Sequence, residues 1–345
     1  MDWSIGLILV QDGIINGAIY ALLALSLVLV FTATRIILIP AGEFVTYGAL
    51  TLAFLHDGKV PGTAKLLVIM GLAAFARSLW SGWGTANRRE VLRLTIETIA
   101  VPVAIALLAF WLGPKKPGLA IEILLALAIV APMGPLLYRV AFEPLAEASV
   151  LVLLITAVGV HLALTGLGLV FFGAEGWRTP PLSDAVMSLG DLIVTGQSLS
   201  VLGITAGLML ALYLFFGRTL TGKALRATAI NRLGARLVGI APSVSGRLAF
   251  LIAALVGALS GILVAPLTSL YYDSGFIIGL KGFVAAIVAG LASYPVAAGA
   301  ALVVGIVESF SSFHASALKE VIVFLVIIPV LIWRSLGSLT PEEDE

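Results

Sequence analysis

One carboxylate, Glu43, stands alone in an otherwise uncharged apolar run, Ile36–Leu55, about a third of the way along it. Taking a carboxylate out of water costs several kcal/mol unless it is paired or wet, so Glu43 belongs at a helix interface or beside an aqueous cavity, not against lipid. Arg35 is too near the membrane edge to be an assured partner. Pro40 and Gly42 precede Glu43, and together they predict a broken helix: proline removes a backbone donor and glycine weakens the turn. Backbone groups freed at membrane depth need a cavity, and helix breaks recur with ionisable groups at transporter sites. Two readings stay open on these residues, a pathway carboxylate and a structural kink holding a buried, protonated Glu.

A second interruption, Ala289-Gly290-Leu291-Ala292-Ser293-Tyr294-Pro295, lies toward the other end of the chain. Exposed backbone there can bind a small polar solute without any charged side chain, although a plain re-entrant turn explains the composition equally well. Asp273 and Lys281 are expected at its outer entrance, and a pathway is expected between the two breaks.

Other chemistry is poorly represented. Gly217-Arg218-Thr219-Leu220-Thr221-Gly222-Lys223-Ala224 nearly matches a phosphate-binding loop, but Ala224 replaces the hydroxyl residue that would bind magnesium. The segment also follows an apolar span and not a buried strand. His56, His161 and His314 are too scattered for a metal cluster, and neither an HExxH nor a nucleophile-elbow pattern occurs. His161, in an apolar span with Thr156 and Thr165, reads as a neutral imidazole bonded to a neighbouring helix, with a pathway role as the alternative. The absence of cysteine removes disulfides and thiolate chemistry.

The elements that must position these residues follow from composition. Of 345 residues 60% are apolar and 11% charged, and the mean hydropathy is +1.13. That is an integral membrane protein with apolar residues for about nine or ten spans. Uncharged runs divide the chain into Ile14–Thr34, Ile36–Leu55, Leu66–Trp80, Leu94–Leu112, Leu119–Tyr138, Val150–Phe172, Leu199–Phe216 and Leu248–Tyr271. Gly279–Phe310 then reads as a short re-entrant piece and a full span, and Val321–Trp333 closes the count. Glycines within helices, such as Gly257, Gly261, Gly299 and Gly305, read as packing positions. No basic run precedes the first apolar stretch and no small-residue cleavage signal follows it, so no removable leader is expected.

Orientation follows the basic loops. Gly217–Arg247 holds Arg218, Lys223, Arg226, Arg232, Arg236 and Arg247 with no acid, and is therefore expected on the cytoplasmic side. Counting back places Arg139, the Arg77–Arg93 loop and Arg35 on that side. The loop Gly173–Ser198, with Glu175, Asp184 and Asp191, then faces out with the N-terminus; Lys115 and Lys116 are the exception, and the acidic end Glu342–Glu345 falls inside only if Gly279–Phe310 holds a re-entrant piece. Small residues recur in helical rhythm along Arg218–Ile240, which predicts a short helix on the cytoplasmic side that meets a partner or lipid phosphates, or is merely solvated.

Five segments, taken in order, resemble one family. Asn16-Gly17-Ala18-Ile19-Tyr20-Ala21-Leu22 is similar to an N-G-x-x-Y-A-L start, Tyr138-Arg139-Val140-Ala141-Phe142-Glu143-Pro144-Leu145 to an ERVAYRPLR-type segment, and Thr156-Ala157-Val158-Gly159 to a TAIG run. Gly222–Ala229, ending at Gly239-Ile240, resembles a G-x-A-x-R-A-x-A…GI loop, and Gly279–Pro295 resembles GMKAFTAAVLGGxGSxPGA. The family is the LivH-type permease subunits of bacterial and archaeal ABC importers for branched-chain amino acids. Two departures stand out. Ile37-Leu38-Ile39-Pro40-Ala41-Gly42-Glu43 replaces the usual I-N-F-A-H-G-E, losing Asn and His, and residues 56–118 read as a two-span insertion.

The resemblance implies an all-α polytopic permease of the type II importer kind, embedded in the inner membrane as one transmembrane domain over residues 1–345. Its partners would be cytoplasmic ATPase subunits that carry ATP and Mg, a second permease copy or a homologous permease, and an extracytoplasmic solute-binding protein; the chain itself would hold no cofactor. The expected pathway residues are Asn16, Tyr20, Pro40, Gly42, Glu43, Tyr47, Gly290 and Ser293. Those expected to couple to the ATPase, within 217–247, are Gly222, Lys223, Arg226, Ala229, Arg232, Arg236 and Gly239. The solute stays open among branched-chain or other apolar amino acids, urea, short amides and aromatic acids. A stand-alone secondary transporter using Glu43 as a proton-coupling carboxylate is the rival class. A passive channel would need a ring of polar lining residues that the sequence lacks.

Overall fold

The computed structural model describes residues 3–82, 88–189 and 192–337; Asp191 and the acidic run at 342–345 lie outside them. The described chain is almost wholly helical. Its axis is α1, Trp3–Thr34, 32 residues and so about 48 Å long. Beyond Asn16 it is apolar on nearly every side, which suits a helix enclosed by others, and most of that part is buried.

Around α1 stand α2 (Ala41–His56), α3 (Gly62–Gly82), α4 (Arg88–Thr95), α5 (Val101–Leu112), α6 (Leu119–Val130), α7 (Met133–Leu137), α8 (Val150–Phe172), α9 (Gly196–Arg218), α10 (Leu220–Ile230), α11 (Arg232–Leu237), α12 (Pro242–Val264), α13 (Ser274–Val288), α14 (Tyr294–His314), α15 (Lys319–Leu325) and α16 (Ile327–Gly337). A π-turn over Ile96–Ala100 joins α4 to α5, and a second over Tyr138–Phe142 extends α7. Among the described residues eight helical stretches are long and apolar enough to cross a bilayer: Trp3–Thr34, Gly62–Trp80, Arg88–Lys115, Leu119–Leu145, Val150–Phe172, Gly196–Arg218, Pro242–Val264 and Tyr294–His314. One β-hairpin, β1 (Val186–Leu189) with β2 (Leu192–Thr195), stands in the loop after α8.

Helix backbones approach closely where small residues leave room, the form of packing expected where lipid offers no hydrophobic drive. α1 and α14 run antiparallel, Gly13 against the backbone of Ile306 and Gly17 against Leu302. Gly257 and Gly261 of α12 meet Phe44 and Val45 of α2, and Gly305 meets Gly17. Gly299 faces open space and has no such role.

Several boundaries differ from the sequence expectation: α1 starts at Trp3 and not Ile14, and the closing run Val321–Trp333 is divided between the short helices α15 and α16, neither of which is long enough to span. The run Ile36–Leu55 is not one span: Arg35 adopts a left-handed φ of 60°, residues 36–40 are non-helical with Ile36 and Leu38 buried, and the helix begins at Ala41. Leu248–Tyr271 is shifted, because Pro242 starts α12 with its pre-set φ and the helix ends at Val264, followed by an irregular segment. The basic stretch forms two helices, because Asn231 leaves the helical region and its side chain accepts from the Gly234 amide to cap α11. The interruption after α13 lies at the end of that helix. Its contacts place it with the basic loop: Tyr294 stacks on Phe216, with ring centroids 5.8 Å apart.

Contacts sort the loops into two faces. Gln11 donates to the Ile193 carbonyl, Arg178 to the Pro266 carbonyl, and Lys59 lies over the Trp177 ring, which defines an N-terminal face. Arg236 pairs with Glu147, and Thr228 bonds Ser245, on the opposite, basic face. Residues 56–118 supply α3, α4 and α5. They join the remainder through Thr51–Thr63, His56–Glu122 and Arg139–Glu97 contacts of 2.8, 2.9 and 3.3 Å.

Candidate functional site

The residues singled out in the sequence fall into three places. The first is where α2, α8 and α13 converge. Gly42 makes this convergence close: each of the Gly42 and Gly275 carbonyl groups occupies the space where the other residue's Cβ would stand, and Gly279 also faces Gly42. The amide of Gly275 donates to Thr46 Oγ1 at 2.9 Å. Glu43, in the first turn of α2 and 2% exposed, reaches α8. Its Oε1 lies 2.6 Å from His161 Nδ1 and 3.4 Å from the Thr165 hydroxyl.

The other oxygen, Oε2, is buried without a partner. The imidazole of His161 stacks on Phe276 with centroids 4.3 Å apart. One turn beyond Glu43, Tyr47 donates from its hydroxyl to the Leu164 carbonyl at 2.7 Å. Pro40 is buried at the start of α2 and donates no capping bond. The bonded imidazole expected of His161 is present, and its partner is the carboxylate that sequence reasoning left without one.

The second place is on the N-terminal face. Tyr20 donates to Glu308 Oε2 at 2.5 Å, and Lys281 donates to Glu308 Oε1 at 2.5 Å and to Glu320 Oε1 at 3.1 Å. Lys281 and Glu308 are 4% and 8% exposed, so this is a buried charge network joining α1, α13, α14 and α15. Asn16, one turn before Tyr20, lines a cavity of about 570 Å³ beside Glu308. The expectation that Lys281 stands at the entrance to the second break is corrected. It lies inside α13, where the buried carboxylate of Glu308 retains it, and Asp273 is at that helix's opposite end from the break. Sequence reasoning missed Glu308, although it carries the signal that drew attention to Glu43, a lone carboxylate in an apolar helix.

The third place is the basic face. Gly290 and Leu291 adopt left-handed φ angles of 65° and 55°, turning the chain between α13 and α14. A cavity of about 990 Å³ lies between this turn and α10, lined by Ala292, Tyr294 and Pro295 on one side and by Arg218, Arg226 and Ala229 on the other. Lys223, Arg226, Ala229, Arg236 and Gly239 are exposed, whereas Gly222 is buried against the Phe215 carbonyl and Arg232 is half-buried. Apolar residues interleave them: Ile230, Leu233, Leu237 and Val238 are 85, 68, 81 and 75% exposed. The chain does not bring the two breaks together. Gly42 packs at the start of α13 and Gly290 follows its end, about 22 Å apart along the 15-residue helix.

A bundle of long apolar helices, with broken segments and polar groups held inside it, defines a polytopic α-helical permease. Residues 99–331 match the family described as "Branched-chain amino acid transport system / permease component", and the chain belongs to that family. Asn16, Tyr20 and Glu43 precede the matched stretch. The chain is 30% identical over 227 residues to the high-affinity branched-chain amino acid transport system permease protein LivH of Escherichia coli (strain K12), covering 64% of this chain and 74% of that one. It is 29% identical over 251 residues to the corresponding permease protein BraD of Pseudomonas aeruginosa, covering 70% and 82%. Among solved structures, PsaBC from Streptococcus pneumoniae in complex with Fab aligns at a TM-score of 0.37 and 12% identity, over 94% of this chain and 89% of that one.

Proposed function

We propose that this chain is the membrane gate of an ATP-driven importer for branched-chain or other apolar amino acids, energised by cytoplasmic ATPase subunits that dock on α10 and α11. The observation that carries the reading is the composition of that surface. A cluster of exposed large apolar residues outside the lipid-facing spans marks an interaction site, and here Ile230, Leu233 and Leu237 fall close together in sequence among Arg226 and Arg236, outside the apolar spans. A partner that covers both kinds of side chain accounts for the face better than solvent does. The names of the relatives support the solute class, and the basic loop supports a cytoplasmic docking side with the N-terminus outside.

In this mechanism the chain performs no covalent chemistry. ATP and Mg act on the partner subunits. Movement of α10 changes the cavity it shares with the 289–293 turn, and that turn caps α13. A helix transmits displacement as a rod, so a shift at Gly290 reaches the Gly42–Gly275 contact and with it the Glu43–His161 pair. The alternation of access would arise from these helices rocking together, with a second permease copy or homologue across the pathway. A solute-binding protein would deliver the amino acid at the N-terminal face.

The test is isolation of the tagged chain from its native membrane under mild detergent. Recovery of a stoichiometric ATPase is expected; uptake driven by a proton gradient through the chain alone would replace this reading with that of a secondary transporter.

A further inference from the structure

The cavity on the N-terminal face has walls of both charges. Asp12, Asn16, Ser309 and Lys319 line it, together with Glu308 and the apolar Leu9 and Phe313. The charges are not equivalent. Glu308 has both oxygens engaged, by Tyr20 and Lys281. Asp12 is exposed to the cavity and, among the described residues, has no cationic or hydrogen-bonding partner. Among the described residues Lys319 pairs with Glu320 Oε1 alone, at 3.9 Å, a distance at which an ion pair is weak and open to exchange. The amide of Asn16 and the hydroxyl of Ser309 likewise make no bond within the described residues.

We propose that this cavity recognises a free α-amino acid with an apolar side chain before it passes the Glu43 region. The ammonium group would pair with Asp12, the carboxylate with Lys319 and the Ser309 hydroxyl, and the side chain would lie against Leu9 and Phe313. A simple cation satisfies Asp12 but leaves Lys319 and the apolar wall unused. A simple anion leaves Asp12 unpaired and repels it. A zwitterion serves both ends at once, and a volume of about 570 Å³ is within the usual range for small-molecule sites. A charged partner well placed for a charged group commonly changes affinity by roughly tenfold or more. The inference rests on the importer reading, since it assigns the solute a first binding point within the same permease.

The probe is L-leucine, compared with 4-methylpentanoate, which lacks the ammonium, and isoamylamine, which lacks the carboxylate. Binding to the full chain in lipid nanodiscs is followed by saturation-transfer NMR. Leucine is expected to bind at least tenfold more tightly than either analogue. Asp12→Asn should cost leucine roughly tenfold while leaving 4-methylpentanoate unchanged or better bound, and Lys319→Gln should do the reverse, sparing isoamylamine. A loss of fold would weaken all three probes together, so the crossed pattern is specific to the site.

Absence of leucine binding, equal binding of all three probes, or indifference to both substitutions overturns the proposal. ATP-driven leucine uptake by the complete complex is measured alongside. Uptake that persists without the crossed pattern rejects the cavity alone, whereas the crossed pattern without uptake of any apolar amino acid supports the cavity and rejects the importer reading.

Discussion

Nδ1 of His161 stands 2.6 Å from Oε1 of Glu43, joining α8 to the first turn of α2 across 118 residues of sequence. The carboxylate has its second oxygen buried and unpartnered, so His161 and Thr165 are its main compensation. Removing the imbalance at Glu43 and removing its partner should therefore differ. Glu43→Gln keeps the shape and removes the charge, and is expected to cost little in thermal stability while lowering uptake. His161→Leu leaves a buried carboxylate with the Thr165 contact alone and should destabilise by about 3–5 kcal/mol, the usual consequence of stranding one member of a buried pair. Thermal unfolding in detergent, monitored on both variants and on the double variant, checks this; the double variant should recover most of the loss.

The Gly42–Gly275 contact leaves no room for a methyl group on either residue. Gly42→Ala is expected to push α2 from α13, costing about 1–3 kcal/mol as overpacking does. Transport should fall further than the stability loss explains, because the contact lies at the α2 end of the proposed rod. Uptake measured at a temperature where the variant is fully folded separates the two effects.

The Lys281–Glu308 pair should behave as a unit. Lys281→Met removes the cation from a carboxylate that is 8% exposed at the wall of the cavity, and is expected to cost about 1.5–3 kcal/mol. Adding Glu308→Gln should return part of that loss, since the remaining Tyr20 contact can bond a neutral amide. Unfolding of the single and double variants gives the coupling energy, and strict additivity would show that the two side chains do not act together.

Arg226→Glu reverses a charge on the exposed face of α10 without touching the bundle core. Membrane insertion and thermal stability should stay within about 0.5 kcal/mol of the parent, while ATPase stimulation and uptake fall. Unchanged stimulation would remove the docking role of this helix.

Much of the bundle is legible in the sequence because apolar length reports candidate membrane spans directly. Val150–Phe172 was bounded correctly at both ends: Ser149 caps its start and Gly173, at φ 78°, ends it. The break before Glu43 was also readable, since proline and glycine act locally. What remained hidden was the pairing. Sequence periodicity places His161 on a helix but cannot say which helix it will face, and Lys281 looks like an entrance residue until the fold brings Glu308 against it from 27 positions away. The distance between the two breaks was hidden for the same reason: only the direction of α13 shows that they stand at its opposite ends. The basic stretch reads in sequence as meeting a partner or lipid phosphates, or as merely solvated; the fold adds that Ile230, Leu233 and Leu237 are exposed beside its arginines.

The most direct measurement is solute uptake into proteoliposomes containing this chain with and without its ATPase subunits, a permease partner if one co-purifies, and the binding protein. Accumulation of L-leucine against its gradient only when the complete set and ATP are present is the predicted result. Uphill uptake by the chain alone, or ATP hydrolysis by it unaided, would contradict its role as a gate moved by another subunit.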